Sequence, residues 1–168
     1  MPGEKFVLPD FSKKNININP DQIKKLLDSI CHPYWYKQAS GFEEAKLLAA
    51  ANNRIILLAF TGYSFCGCCQ SLEANVFNKC DFGFWAIRNG LILVDIDDNA
   101  NTNSADSALF NQFGVNYVPT VFGLAPNGQI LGEIKNNACG SAGVASWTTE
   151  FENVTHMKKS IPKIRIPK

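Results

Sequence analysis

Residues 55–77 read IILLAFTGYSFCGCCQSLEANVF. The first six are a continuous aliphatic run of strand length, the pattern of a central strand buried on both faces. A short polar loop, TGYS (61–64), follows, and then CGCCQSLEANVF (66–77), in which Leu72, Val76 and Phe77 fall on one helical face. Cys66 therefore belongs at a strand-to-helix junction. Three of the six cysteines, Cys66, Cys68 and Cys69, lie within four consecutive positions, the others being Cys31, Cys80 and Cys139. Packing alone gives no reason for such a concentration, so the chemistry is expected there.

Upstream, NININP (15–20) ends in a proline suited to the first turn of a helix through QIKKLLDSI (22–30). Pro33 breaks that helix, and FEEAKLLAAANN (42–53), rich in Glu, Ala, Leu and Lys, predicts another that ends at Asn52 or Asn53. Downstream, FGFWAIRNG (82–90) predicts a short helix stopped by Gly90, and LILVDID (91–97) a second buried strand. The polar DNANTNS (98–104) leads to a helix at ADSALFNQF (105–113) with Ser104 as its cap. VPTVFGL (118–124) and GQILGEI (128–134), joined by the turn sequence APNG, predict an antiparallel hairpin. A final helix is expected from about Ser141 to Lys159. The reading is of a central mixed sheet flanked by helices, an α/β fold, with an N-terminal extension (1–34), a main domain (35–159) and a basic tail (160–168). No internal repeat is present.

The bulk properties narrow the function. The chain has 168 residues, ordinary for one domain, with 46% hydrophobic and 18% charged residues, unlike a disordered chain. A net charge of +1 provides no field to recruit nucleic acid. No apolar run reaches the ~20 residues of a membrane-spanning helix. The opening MPGEKF lacks the basic-then-apolar pattern of a secretory signal.

Cys66 and Cys69 have Cys-X-X-Cys spacing, which on the first turn of a helix brings two sulfurs together and leaves the first more exposed. Backbone N–H groups and the helix dipole at that position are expected to stabilise a Cys66 thiolate, which makes Cys66 the candidate nucleophile. Cys69 would then resolve the mixed disulfide. A zinc site would need a second pair or nearby histidines, and His32 and His156 are far away in sequence. Cys68 is open to three readings: a spare ligand, a site of glutathione attachment or a small apolar filler. Any two of Cys31, Cys80 and Cys139 can be imagined as a structural bridge, and sequence does not decide which.

From Trp35 to about Lys158 the chain resembles the thioredoxin superfamily, in particular its bacterial thiol-disulfide interchange branch. The resemblance rests on FTGYSFCGCC with Glu73 and Val76-Phe77, on LILVDID, on APNGQIL, and on YVPT, whose Pro119 falls at the family's cis-proline. It implies a thioredoxin-like fold, catalytic Cys66 and Cys69, and a substrate groove formed by Phe65, Val118 and Pro119. It implies no cofactor and no resident metal. The partners would be protein disulfides or dithiols and a redox partner protein, with the chain a monomer. Phe65 stands where tryptophan is usual and Cys68 where proline is usual, so the direction of electron flow stays open. Counting back from Cys66, Phe60 occupies the position of the family's buried acid. Glu73, an auxiliary candidate, is the nearest substitute, with a plain surface role as its alternative, and Asp95 and Asp97 are weaker ones. The cysteine number and the extension point to a periplasmic or other extracytoplasmic location, with the cytoplasm as alternative. Two rival functions remain: a copper(I)-type site on Cys66, Cys68 and Cys69, and a non-catalytic thioredoxin-like binding module.

Overall fold

The computed structural model describes residues 19–98 and 103–157. The segments 1–18 and 158–168 lie outside it, so most of the expected extension and all of the basic tail are not described.

Helix α1 (Pro20–Cys31) begins as its sequence requires: Pro20 takes the first helical position, and Asn19 and Gln22 form a reciprocal capping box. Strand β1 (Trp35–Lys37) follows, then α2 (Gln38–Asn52), β2 (Ile56–Thr61), α3 (Gly67–Leu72), a π-helical turn (Glu73–Phe77), α4 (Cys80–Arg88), β3 (Ile92–Asp97), α5 (Ser104–Gln112), β4 (Thr120–Leu124), β5 (Ile130–Ile134) and α6 (Gly143–Thr155). The described strands form a five-stranded sheet in the order β1-β3-β2-β4-β5. β1, β2 and β3 run parallel, β4 is antiparallel to β2, and β5 is antiparallel to β4. This is the α/β, thioredoxin-like arrangement, with helices on both faces of a mixed sheet.

All six residues of β2 are buried because the strand is central and both of its faces are covered. One layer joins Ile56, Leu58 and Phe60 of β2 and Val94 of β3 to Phe42 and Ala45 of α2 and Leu109 of α5. The other joins Leu57, Ala59 and Leu93 to Leu72, Val76 and Phe77 below Cys66, and to Trp85, Trp147 and Phe151. Trp147 and Phe151 stack at 5.7 Å, and Trp85 meets the Trp147 ring edge-on at 6.2 Å. Such pairs contribute about 0.5–1.5 kcal/mol each beyond their burial.

Four expectations need correction. β1 was not expected, because three residues among aromatics carry too little periodicity to announce a strand. The cap of α5 is Asn103, whose side chain accepts the Asp106 N–H, and Ser104 is already helical. α6 starts at Gly143 and ends at Thr155, where His156 turns left-handed, and so is shorter than the expected 141–159. The helix carrying the cysteines is not regular throughout, since its ladder widens to π geometry after Leu72.

α1 stands outside the two layers and contains no fully buried residue. It is fastened to α4 by a Cys31–Cys80 disulfide. Gly83 of α4 is what permits the approach: a Cβ there would collide with the Ile30 carbonyl oxygen.

Candidate functional site

Central β2 ends at Thr61, and the loop 62–65 turns the chain into α3. Four bonds hold that loop, one of them from the Phe65 N–H to the Gly62 carbonyl at 3.1 Å. The Cys66 N–H donates to the Gly62 carbonyl at 2.8 Å. The Tyr63 N–H donates to Asp97 Oδ1 at 3.1 Å, and Gln70 Nε2 donates to the Tyr63 carbonyl at 2.7 Å.

Cys66 is the N-cap of α3, and its sulfur accepts the Cys69 N–H at 3.0 Å. The two cysteines are joined in a disulfide with their Cα atoms 5.2 Å apart. Cys66 is half-buried and Cys69 fully buried, so an incoming reagent meets Cys66 first. Opposite, the Val118–Pro119 peptide bond is cis, and Cys66 Sγ lies 3.4 Å from the Val118 carbonyl oxygen. A groove of about 350 Å³ opens beside them, lined by Phe65, Phe110, Val115, Tyr117 and Val118 together with the polar Asp98 and Asn116. Phe65 and Tyr117 flank it with 62% and 61% of their surface exposed, the Phe65 ring lying over Gly62 and the Tyr117 hydroxyl donating to Glu133 at 2.9 Å. Another hollow, between α2 and the β4–β5 turn, holds Glu43 and Lys46 but no thiol.

A buried carboxylate sits on the sheet face that carries α3. Asp95 is 1% exposed, accepts the Thr61 hydroxyl at 2.7 Å on Oδ1, and pairs Oδ2 with Lys37 Nζ at 2.7 Å. Burial pushes its carboxyl above the ordinary range, although Lys37 and Thr61 pull the other way. The Tyr63 phenol is raised as well, first by burial and then by the charges of Asp95 and Glu73.

A family model for the thioredoxin-like domain matches residues 42–137, more than half of the chain. The chain belongs to the thioredoxin-like domain family. Solved thioredoxin-like structures agree with it in fold: a DsbH oxidoreductase, 18% identical with a TM-score of 0.62, is covered over 83% of its length by 70% of this chain. A Thermus thermophilus thioredoxin is 21% identical with a TM-score of 0.55, over 73% of this chain and 87% of that one. A Trypanosoma brucei brucei thioredoxin is 15% identical with a TM-score of 0.51, over 74% and 94%. No curated protein matches the chain in sequence. Within this thioredoxin-like domain, a Cys-X-X-Cys disulfide at the start of the active-site helix is the arrangement of a thiol-disulfide redox site. Among the described residues, no helix is long and apolar enough to cross a membrane.

The thioredoxin-like domain brings Phe65, Cys66, Cys69, Val118 and Pro119 together and separates the others. Cys68, although it immediately precedes Cys69, is bonded instead to Cys139, in the loop before α6, with Cα atoms 4.8 Å apart. Its readings as spare ligand, site of glutathione attachment and apolar filler are thereby replaced. Cys139 itself was grouped with Cys31 and Cys80, and only those two bond to one another. Glu73 is half-buried in the π-helical turn. Phe60 packs against Phe110, Phe113 and Phe122 in the layer away from α3. Counting back from Cys66 therefore lands on the wrong face, because side chains alternate along a strand. The β2 residue facing α3 at this level is Ala59, and its neighbour across the ladder is Asp95. The small side chain of Ala59 leaves room for an acid supplied by the next strand. Lys37, Thr61 and Tyr63 around that acid had no signal in the sequence.

Proposed function

We propose that the chain is a thiol-disulfide oxidoreductase that exchanges electrons with protein disulfides through Cys66 and Cys69. The observation carrying this reading is the asymmetry of the pair: an accessible capping cysteine bonded to a buried one, facing a cis-proline across an aromatic-flanked groove. In the reducing direction, the Cys66 thiolate attacks one sulfur of the substrate disulfide, and the displaced thiolate takes a proton. Cys69 then gives up its proton, attacks Cys66 Sγ, and releases the second substrate thiol. The protein ends as the Cys66–Cys69 disulfide, two electrons having passed to the substrate. The buried Asp95 carboxyl lies on the same face of the sheet as Cys69's helix, and its raised pKa suits it to hold the proton that Cys69 loses. The backbone of Val118 supplies hydrogen-bonding groups for an extended substrate segment.

The bacterial interchange branch is favoured by FTGYSFCGCC, and the DsbH protein of similar fold is by name an oxidoreductase. An extracytoplasmic site of action, periplasmic in a bacterium, is favoured by the two disulfides outside the Cys-X-X-Cys pair. The copper(I) reading needs three thiolates converging on one ion, whereas Cys68 leads to Cys139.

The deciding experiment is a redox titration in dithiothreitol or glutathione buffers, quenched by alkylation and mapped to individual cysteines. A reversible Cys66–Cys69 couple is expected. A potential near thioredoxin's ~−270 mV identifies a reductant and one near ~−120 mV an oxidant. Failure of that pair to form a reversible couple overturns the reading.

A further inference from the structure

Cys68 lies between the two members of the redox pair on the same helical turn, and its sulfur is bonded to Cys139. The far end of this tether is firmly seated. The Cys139 loop is closed by the Gly140 N–H to the Asn137 carbonyl at 2.9 Å, and by the Ala142 N–H to the Asn137 side chain at 3.2 Å. Asn137 is itself buried. Gly140, left-handed at φ +68°, rests directly on the active-site helix: a Cβ there would lie 2.7 Å from Val76 Cγ2 and 3.2 Å from Leu72 Cα. The loop thus packs below the turn 66–69 and is bonded to its middle. Both cysteines of the tether are half-buried rather than sealed in the core.

We propose that Cys68–Cys139 is a reducible latch whose state sets the dithiol–disulfide equilibrium of Cys66–Cys69. The inference rests on the thiol-exchange reading above. Breaking the Cys66–Cys69 bond lets its two sulfurs separate, which shifts the turn that carries them. A tether at residue 68 to a fixed loop opposes that shift and favours the bonded form. A dithiol reductant opens the latch in two exchanges. Its first thiolate attacks one sulfur of Cys68–Cys139 and frees the other as a thiol; its second thiol then displaces the mixed disulfide. The reductant leaves as a cyclic disulfide, and Cys68 and Cys139 gain two electrons and two protons. The freed turn then favours the dithiol state at Cys66 and Cys69. By reciprocity, reducing the active-site pair eases reduction of the latch by the same factor.

The test uses the full-length oxidised protein equilibrated in dithiothreitol buffers, quenched and alkylated, with fragmentation of the intact chain in the mass spectrometer assigning the alkylated cysteines, so that molecules in each combination of open and closed pairs are counted. The Cys66–Cys69 equilibrium is expected to move toward the dithiol by about tenfold when Cys68–Cys139 is open, equivalent to about 30 mV. The same shift is expected in a Cys68→Ser/Cys139→Ser protein, and the wild-type populations give the answer if that variant does not fold. Cys31–Cys80 is the internal control and is expected to show no coupling. A factor below about fivefold, equal coupling to Cys31–Cys80, or a latch that opens only on unfolding overturns the proposal while Cys66–Cys69 remains a reversible couple. If Cys66–Cys69 forms no reversible couple, the functional reading falls first and the latch with it.

Discussion

Replacing Cys31 and Cys80 together by serine tests how much the fold depends on the fastening of α1. The bond joins residues 49 apart. In the chain-entropy treatment, closing a loop of that length removes about 14 cal/mol/K from the unfolded chain, or about 4 kcal/mol at 25 °C. Native α1 has no fully buried residue, and an isolated helix of its 12 residues is marginal in water. Once released, it regains freedom in the folded state, so the net loss falls below that ceiling, at about 2–4 kcal/mol. For a chain of this size the loss lowers Tm by roughly 4–16 °C. Urea unfolding followed by tryptophan fluorescence measures it well, because Trp35, Trp85 and Trp147 all belong to the layer that carries α3 and α4. Thiol exchange at Cys66 is expected to survive, since Cys80 follows the far end of the helical run that Cys66 begins. A stability change below about 0.5 kcal/mol would refute the argument that this bond restrains the unfolded chain.

Three further outcomes follow from the site. Cys69→Ser should accumulate mixed disulfides at Cys66 with protein substrates, whereas Cys66→Ser should lose exchange; a Cys66→Ser protein with full disulfide reductase activity rules out Cys66 as nucleophile. Asp95→Asn should stabilise the protein at neutral pH. Burial raises the folded-state pKa of Asp95 above its unfolded value, so the native state binds more protons in the window between them and stability falls as pH rises through it. Asparagine removes that loss, Thr61 turning its hydroxyl to accept the new amide while Lys37 keeps the carbonyl oxygen. The gain should vanish below the unfolded carboxylate range of ~4, and a pH-independent difference between the two unfolding curves contradicts this assignment. Tyr117→Ala should raise KM for protein disulfides and leave reduction of a small aromatic disulfide unchanged, because Tyr117 flanks the groove and touches neither sulfur; equal effects on both substrates would remove it from substrate binding.

Much of the architecture was legible because its signals are local. The runs 55–60 and 91–97 are too apolar for anything but central strands, APNG sets its own turn, and Pro20 and Asn19 mark a helix start. The pair Cys66 and Cys69 and the proline opposite were readable for a similar reason, since spacing and residue type are properties of short segments. What stayed hidden depends on residues far apart in sequence. Asp95 meets Thr61 across 34 positions and Lys37 across 58, and nothing near any of the three announces the meeting. β1 is a strand because β3 offers it an edge, and its own three residues do not require it. Phe60 shows the subtler failure: its distance from Cys66 in sequence was read as a position on a face, although the irregular loop 62–65 lies between and strand alternation decides the face.

The three clustered cysteines show how a helix divides what a sequence concentrates. Successive residues are turned by about 100° around a helix axis. Cys69, three residues after Cys66, comes back to nearly the same side, almost one turn further along, and the two sulfurs meet. Cys68 is turned away from Cys69 by one such step and points toward a different neighbour, the loop carrying Cys139. In linear sequence CGCC suggests a soft-metal chelate, because three thiols within four residues are close along the chain. On the helix they form two separate bonds with different surroundings: one reaches from an accessible cap to a buried sulfur, the other ties the same turn to a loop that Gly140 seats against Leu72 and Val76.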